Sequence, residues 1–143
     1  MNIQQISVFL ENKPGRLAHV AMVLKNNGIN IRALTIADTS DFGILRMIVS
    51  NPELGYEVLK KAGFTVKVNT IIAVEIDDRE GLFYDVMDLC DKNSLNVEYT
   101  YSFVEQSSNK AILFLRIENS DKAIDVFIKN GYKLLTAKEA KKI

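Results

Sequence analysis

The sequence predicts an α+β protein built from two consecutive βαββαβ units, each with two helices on one face of an antiparallel sheet. The segment Pro14–Ile31 aligns with Glu80–Val97 at a constant offset of 66 residues, and later positions match at offsets of 70 and 68. Both halves also show the same order of strand-like and helix-like apolar patterns. We therefore expect a duplication, with units at residues 1–69 and 70–143 whose ferredoxin-like sheets join side by side into eight strands.

In the first half, alternating apolar residues at positions 6–10 predict a strand with one buried face. Asn12–Gly15 predicts a turn, and Gly28 lies where a left-handed residue would end the following helix. Asn51, followed by a proline, predicts the cap of a second helix. The predicted apolar stripes of the two helices are Leu17, Val20, Ala21 and Leu24, then Leu54, Val58, Leu59 and Ala62. The remaining predicted strands are 29–37, 43–49 and 64–68, with a hairpin turn at 38–41.

The second half repeats this order, with predicted strands at 72–76, 97–104, 111–117 and 132–135. Ser120-Asp121 predicts the cap of its second helix. The predicted helical stripes are Phe83, Val86, Met87 and Cys90, then Ala123, Ile124, Phe127 and Ile128. The increased offset after the first hairpin strand places the extra residues in a polar loop at 105–110, where insertions are tolerated.

Composition excludes several classes of protein. Eighteen basic and eighteen acidic residues give a formal net charge of zero, which argues against a nucleic-acid partner. A single cysteine excludes an intramolecular disulfide and any metal site built on a cysteine pair. The sequence shows no secretory signal pattern and no apolar run near the roughly 20 residues that span a bilayer. We expect a cytoplasmic protein with no membrane partner, no metal and no cofactor.

The candidate catalytic side chains form no recognisable motif. His19 has no predicted nucleophile or orienting carboxylate beside it, so we interpret it as a surface residue rather than a catalytic one. Cys90 falls on an apolar helical stripe, which predicts a buried, inert thiol. Tyr99, Tyr101 and Phe103 alternate on one predicted strand as in some RNA-binding sheets, but the first half has no matching aromatics. We therefore expect no enzymatic activity.

The most informative segment is the strand–turn–helix junction Glu11–Leu17. Glycine permits close approach of the backbone, and the following helix begins with unpaired N–H groups that suit a carboxylate. Asn30 lies at the start of the next strand, where an amide could bind an amino group and a carboxylate oxygen together. The alternative is that Pro14-Gly15 is only a turn and that Asn30 only caps a strand. Residue spacing alone does not decide between the two.

This pattern resembles the ACT domain family. The resemblance rests on a first strand, the turn Asn12–Gly15, an apolar helix and then Gly28–Ile31, and it covers residues 3–68 and 71–135. ACT domains are similar in fold to the unit described above and typically bind amino acids where two domains meet. The resemblance therefore implies a ligand site that contains Asn12, Lys13, Pro14, Gly15, Arg16, Leu17, Asn30 and Ile31, with Asn96 and Val97 as the second-copy counterparts of the last two.

The second copy departs from the family pattern at its turn. Glu80 replaces the proline and could repel a carboxylate, so we expect one competent site per chain. The second copy would instead provide a pocket wall through Tyr99 and Tyr101, or serve dimerisation.

ACT domains are usually regulatory modules, so the resemblance implies a freestanding sensor of a free amino acid. It would form a homodimer and act in trans on a metabolic enzyme or a transporter. Three alternatives remain open. One is a structural dimerisation module without a ligand. Another is a regulatory subunit similar to the small subunit of acetolactate synthase, although the second half here looks like another ACT unit. The third and weakest is a small enzyme that uses His19.

Overall fold

A computed structural model describes residues 1–38, 40–105 and 108–143. The predicted turn at 38–41 and the predicted loop at 105–110 therefore lie partly outside the described residues. The strands are β1 Ile3–Glu11, β2 Ile31–Asp38, β3 Phe42–Val49, β4 Thr65–Asp77, β5 Val97–Glu105, β6 Lys110–Ile117 and β7 Lys133–Leu134. The helices are α1 Arg16–Asn26, α2 Pro52–Lys61, α3 Leu82–Lys92, α4 Ser120–Lys129 and α5 Ala137–Ala140. The predicted α+β class and the repeated βαββαβ order are confirmed.

The prediction of eight strands is wrong in one respect, because the described residues form seven. The segments 64–68 and 72–76 were predicted as two strands, but residues 65–68 and 72–76 belong to one continuous strand, β4, of 13 residues. The intervening residues contain neither glycine nor proline, and Asn69 is held in place by a hydrogen bond from the Ser7 hydroxyl to its side-chain oxygen (2.7 Å). The chain therefore continues in extended conformation where a connection was expected.

The chain divides into two compact units. The first unit comprises Gln4–Asn69 with Glu139–Ile143, and the second comprises Thr70–Lys138 with Met1–Ile3. In the first unit the short C-terminal segment is tied to β2 and α2. Arg32 donates from Nε to the Lys141 carbonyl oxygen (3.0 Å), and the Lys141 ammonium lies 4.0 Å from the Glu53 carboxylate.

In the first unit the strand order is β2-β3-β1-β4, with β2 at the edge. The core lies between the sheet and helices α1 and α2, and its α1 members are Val20 and Leu24, with Val23 partly buried. The predicted stripe of α1 is wrong at two positions, because Leu17 and Ala21 are exposed. The buried face of α1 is therefore narrower than predicted, and the apolar side chains of Leu17 and Ala21 are exposed. Ala62, predicted for the α2 stripe, is also exposed.

In the second unit the strand order is β5-β6-β4, with β7 pairing β4 on its other side. Its core contains Val86, Cys90, Ala123 and Phe127, as predicted from the two stripes. Two predicted stripe residues are wrong, because Phe83 and Ile128 are exposed; the buried residue in the first turn of α3 is Leu82 instead. The α4 cap is also one residue earlier than predicted: the Asn119 side-chain oxygen, rather than Ser120, accepts from the Lys122 N–H (3.1 Å).

The two units end their first helices differently. Gly28 has a φ of 66° after α1, as predicted, and the aligned residue after α3 is Ser94, with a φ of 54°. A left-handed backbone costs an L-residue about 1–2 kcal/mol, but glycine adopts it without that cost.

We therefore expect Ser94→Gly to raise the free energy of unfolding by about 0.5–1 kcal/mol, after the larger chain entropy of glycine in the unfolded state is subtracted. Urea denaturation would measure the change, with Gly28→Ser as the matched variant that should lose a similar amount. A neutral or destabilising effect of Ser94→Gly would contradict this explanation.

Candidate functional site

The turn before α1 is fixed by backbone hydrogen bonds. The Lys13 N–H donates to the Glu11 carbonyl (2.8 Å), the Arg16 N–H to the Lys13 carbonyl (3.4 Å), and the His19 N–H to the Gly15 carbonyl (3.0 Å). Gly15 caps the helix with a φ of 86°, a left-handed conformation that favours glycine. The turn therefore directs the amino end of α1 towards the end of β1.

The second unit repeats the three backbone hydrogen bonds of this turn. The Arg79 N–H donates to the Asp77 carbonyl (3.0 Å), the Leu82 N–H to the Arg79 carbonyl (3.4 Å), and the Asp85 N–H to the Gly81 carbonyl (3.0 Å). Gly81 has a φ of 80°. The replacement of Pro14 by Glu80 thus leaves the backbone geometry unchanged. The difference between the two turns lies in their side chains alone.

The amino end of α1 offers free donors. Among the described residues, no acceptor is bonded to the N–H groups of Gly15, Leu17 and Ala18. Such unpaired groups carry the positive end of the helix dipole, and they are satisfied by water or by an anionic ligand. The cap residue Gly15 has no side chain to occupy them.

A cleft of about 130 Å³ lies beside this turn. Its charged lining residues are Glu11, Lys13, Arg16 and Asp38, and Leu17 and Ile36 are among its apolar ones. Lys13 forms an ion pair with Glu11 (2.9 Å), and the hydrogen bond and charge of Lys13 lower the pKa of the Glu11 carboxyl. The cleft therefore presents both signs of charge beside apolar surface.

Asn12 has a structural role in this arrangement. Its backbone N–H donates to the Asp41 carbonyl (2.9 Å), and its side-chain amide donates to the Ser40 carbonyl (3.4 Å). Asn12 therefore fastens the turn to the end of the β2–β3 hairpin. This engagement leaves its amide less available for a ligand than the resemblance implied.

Arg16 and His19 both pack on Phe64. The Arg16 guanidinium carbon lies 5.4 Å from the centre of the Phe64 ring, and the His19 ring centre lies 4.9 Å from it. Phe64 itself is buried. His19 is half-buried rather than fully exposed, so the interpretation of it as a surface residue holds only in part. Among the described residues, no hydrogen-bond partner reaches the buried Arg16 Nε, and a cation over an aromatic face is a favourable contact.

The structure does not bring Asn30 to the turn within the first unit. Asn30 follows the carboxyl end of α1, and α1 has 11 residues, so the helix separates the two by about 16 Å. Its backbone is fixed by Ser50, which accepts from the Asn30 N–H (2.9 Å) and donates its own N–H to the Asn30 carbonyl (2.9 Å). Asn30, Ile31 and Lys25 line a separate, open cleft of about 430 Å³.

The second-copy counterparts occupy equivalent places in the second unit. Asn96 is exposed and directly precedes β5, and Val97 begins that strand. The Tyr101 ring is stacked against Phe114, with ring centres 4.9 Å apart. Tyr101 therefore contributes to packing within its own sheet, and Tyr99 is half-buried.

A cleft of about 310 Å³ in the second unit was not singled out from the sequence. Its rim carries two ion pairs, Lys110 with Asp77 and Lys133 with Glu75, the latter at 2.9 Å. The hydrogen bond and charge of Asp77 raise the pKa of Lys110. The same hydrogen bond and the charge of Lys110 lower the pKa of the Asp77 carboxyl. One feature of the sequence pointed to this cleft: Leu82 occupies the position of the second half that aligns with Arg16 in the first.

Among the described residues, no group of three histidine, cysteine, aspartate or glutamate side chains is placed to hold a metal ion. None of the described helices combines the length and the apolar character needed to cross a membrane.

Comparisons with known proteins agree with the fold. The family model described as an ACT domain pair matches residues 1–143. The crystal structure of protein BT0572 from Bacteroides thetaiotaomicron is 38% identical, with a TM-score of 0.94, and the match covers 100% of this chain and 98% of that one. A search of curated proteins gave no match.

More distant structures are also similar in fold. The regulatory subunit of aspartate kinase from Thermus thermophilus is 13% identical, with a TM-score of 0.65, and the match covers 90% of this chain and 92% of that one. The same subunit from Thermus flavus is 16% identical, with the same TM-score and the same coverage.

Proposed function

Because this chain belongs to the ACT domain family, we propose that it is a regulatory protein that binds a free amino acid and acts in trans on an enzyme or transporter of amino-acid metabolism. The family model spans both units. The proteins named as regulatory subunits of aspartate kinase share its fold at low identity, which is compatible with a regulatory rather than a catalytic role.

The observation that carries the proposal is the set of free N–H donors beside the first-unit cleft. Gly15, Leu17 and Ala18 offer donors for a carboxylate, and charge-assisted hydrogen bonds contribute about 1.5–3 kcal/mol each. Lys13 and Arg16, which also line this cleft, carry positive charge. An α-carboxylate is the natural ligand group for such a site.

The remaining lining residues match the rest of an amino acid. Glu11 and Asp38 can accept hydrogen bonds from an ammonium group, and Leu17 and Ile36 provide apolar contacts for a side chain. The volume of about 130 Å³ equals roughly four water molecules, so a compact ligand fits the cleft itself. A larger ligand would need a further wall.

A second copy of the chain can provide that wall. β2 is an edge strand, and on it Leu34 and Ile36 are 52% and 43% exposed, beside the exposed Leu17 of α1. An uncovered apolar edge of this kind favours pairing with another strand. We infer a homodimer in which two β2 strands pair about a twofold axis.

Such a dimer would reunite the two halves of the predicted site. Strands related by a twofold axis at an edge run antiparallel, so the beginning of one β2 lies beside the end of the other. Asn30 precedes β2, and Asp38 ends it next to the turn. Asn30 of one copy would then approach the turn cleft of the other, and one molecule of ligand would contact both chains.

The alternative of a structural dimerisation module without ligand has one observation in its favour, the same exposed apolar edge. It predicts dimerisation with no response to amino acids. The ligand response is therefore the measurement that separates the two functions.

We expect one or a few of the twenty amino acids to raise the melting temperature of the protein. Binding at 100 times Kd stabilises the folded state by about 2.7 kcal/mol, which is easily detected in a thermal-shift assay. Asn30→Ala should abolish the rise without lowering the melting temperature of the free protein, because the Asn30 side chain is exposed.

Asn26→Ala is the matched control, since Asn26 is an exposed amide at the same end of α1. It should keep the full response. A dimer that responds to no amino acid would overturn the sensor function and leave the structural module. A response that survives Asn30→Ala would remove Asn30 from the site.

A further inference from the structure

The edge strands of the two units carry a β-bulge at the same aligned position. β2 shifts its register against β3 between Ile31 and Ala33, so Arg32 is the extra residue of the bulge. β5 shifts against β6 in the same way at Glu98, which follows Arg32 at the constant offset of the duplication. The two units therefore share this irregularity of the backbone.

The side chains at the two bulges are anchored in different ways. In the second unit, the Glu98 carboxylate forms an ion pair with Arg116 Nε of the neighbouring strand β6 (2.9 Å). The Arg116 guanidinium also donates to the Thr70 carbonyl (2.7 Å), so this bulge is fixed from within its own sheet. The aligned residues of the first unit are Arg32 and Arg46, and two cations repel each other instead of forming an ion pair.

The first unit anchors its bulge through residues 139–143. Arg32 Nε donates to the Lys141 carbonyl (3.0 Å), and the Lys141 ammonium lies 4.0 Å from the Glu53 carboxylate in the first turn of α2. Ala140, the neighbour of Lys141, is buried. A segment distant in sequence thus performs the role that a neighbouring strand performs in the second unit.

The attachment of this segment can be released without unfolding of the unit. The side chains of Lys141 and Glu53 are 41% and 64% exposed, so water and salt screen their ion pair. Arg32 contributes one charge-assisted hydrogen bond. Segments held by few buried contacts open locally at a small part of the free energy of global unfolding.

The first-unit bulge lies between two parts of the site proposed above. Asn30 directly precedes β2, and Leu34 and Ile36 lie further along its exposed edge. A β-bulge sets the direction in which neighbouring side chains point. A change in the position of Arg32 would therefore alter Asn30 and the dimer edge together.

We propose that residues 139–143 act as a releasable latch on the β2 bulge, and that amino-acid binding closes it. With the latch attached, Arg32 holds the beginning of β2 in the arrangement that presents Asn30 to the ligand. With the latch released, this part of β2 is mobile and the affinity for the ligand falls. Coupling is reciprocal, so a bound ligand strengthens the attachment of the latch by the same factor. The link to the ligand rests on the proposed function, whereas the latch itself does not.

The test compares the parent protein with a chain that lacks residues 139–143 and with Arg32→Met, which keeps a long apolar stem but removes the donor. Amide hydrogen exchange at residues 31–34 should be faster by about five-fold or more in both variants, with β6 unchanged. Truncation added to Arg32→Met should change these rates less than about two-fold, because the contact is already lost. Arg32→Met in the full chain remains decisive if the truncated chain does not fold.

The aligned bulge supplies the matched control. Glu98→Gln weakens the anchor in the second unit, so it should speed exchange at residues 97–100 and leave residues 31–34 unchanged. Lys142→Ala removes a charge from the latch at an exposed position, and it should leave both segments unchanged.

Calorimetric titration with the amino acid found by thermal shift gives the second measurement. Truncation and Arg32→Met should each raise Kd by about five-fold or more, and Lys142→Ala should not. Unchanged exchange at residues 31–34 in folded Arg32→Met overturns the latch, and Kd values equal to that of the parent overturn its coupling to the ligand. If no amino acid binds the parent, the proposed function fails, and the exchange rates still decide whether the latch exists.

Discussion

Phe127→Ala is expected to lower the free energy of unfolding by about 3–5 kcal/mol, the usual range for removal of a buried aromatic ring from a core. Phe127 has no exposed surface in the second unit and packs edge-on with Tyr132. Its loss removes both the buried apolar area and the aromatic contact, and it leaves a cavity between α4 and the sheet. Denaturant unfolding followed by circular dichroism would measure the effect.

The adjacent residue supplies the control for this prediction. Ile128 is apolar and in the same helix but 47% exposed, so Ile128→Ala should change the stability by less than about 0.5 kcal/mol. A loss of less than 1 kcal/mol for Phe127→Ala would show that the second-unit core is not organised around this ring.

Lys13→Glu is expected to weaken amino-acid binding at the first turn at least ten-fold, which corresponds to about 1.4 kcal/mol. The change removes a cation from the cleft and places a third carboxylate beside Glu11 and Asp38. Folding should be preserved, because the Lys13 side chain is 70% exposed and its ion pair with Glu11 is a surface pair. Calorimetric titration with the amino acid found by thermal shift would measure the loss.

The duplication again offers a control. Arg79 holds the aligned position in the second unit, so Arg79→Glu makes a similar charge change in a turn of the same backbone geometry. It should leave binding at the first turn intact. Equal losses in the two variants would mean that net charge, not the first-unit cleft, governs binding.

The sequence predicted most of the fold because the determinants of its elements are local. Gly15 and Gly81 take the left-handed conformations that their turns need, and Asn51 caps α2 because its side-chain oxygen accepts from the Leu54 N–H (3.1 Å). These features follow from residue type and spacing. They could be predicted without knowledge of the tertiary contacts.

The errors arose where tertiary packing decides. Helical spacing placed Leu17 and Phe83 on buried stripes, but a helix covers only part of the sheet, and both side chains lie at helix beginnings outside that contact. The continuity of β4 could not be predicted, because no local signal distinguishes a long strand from two short ones.

The candidate site was predictable in composition but not in assembly. The turn residues and Asn30 were named from spacing and resemblance, and the structure adds that the 11-residue α1 keeps them about 16 Å apart within one unit. The charged cleft of the second unit was missed, because its lining residues come from four separate segments of the chain. Only the replacement of Arg16 by Leu82 marked it in the alignment.

The attachment of residues 139–143 to the first unit has a consequence for the order of folding. These residues are separated from Asn69 by the whole second unit, yet Lys141 accepts the hydrogen bond from Arg32 on β2. During synthesis, the ribosome makes them only after residues 70–138, so the first unit gains these contacts only after the whole of that segment has been synthesised. The edge strand that carries the proposed dimer contact is thus secured late, when the rest of this sequence has been translated.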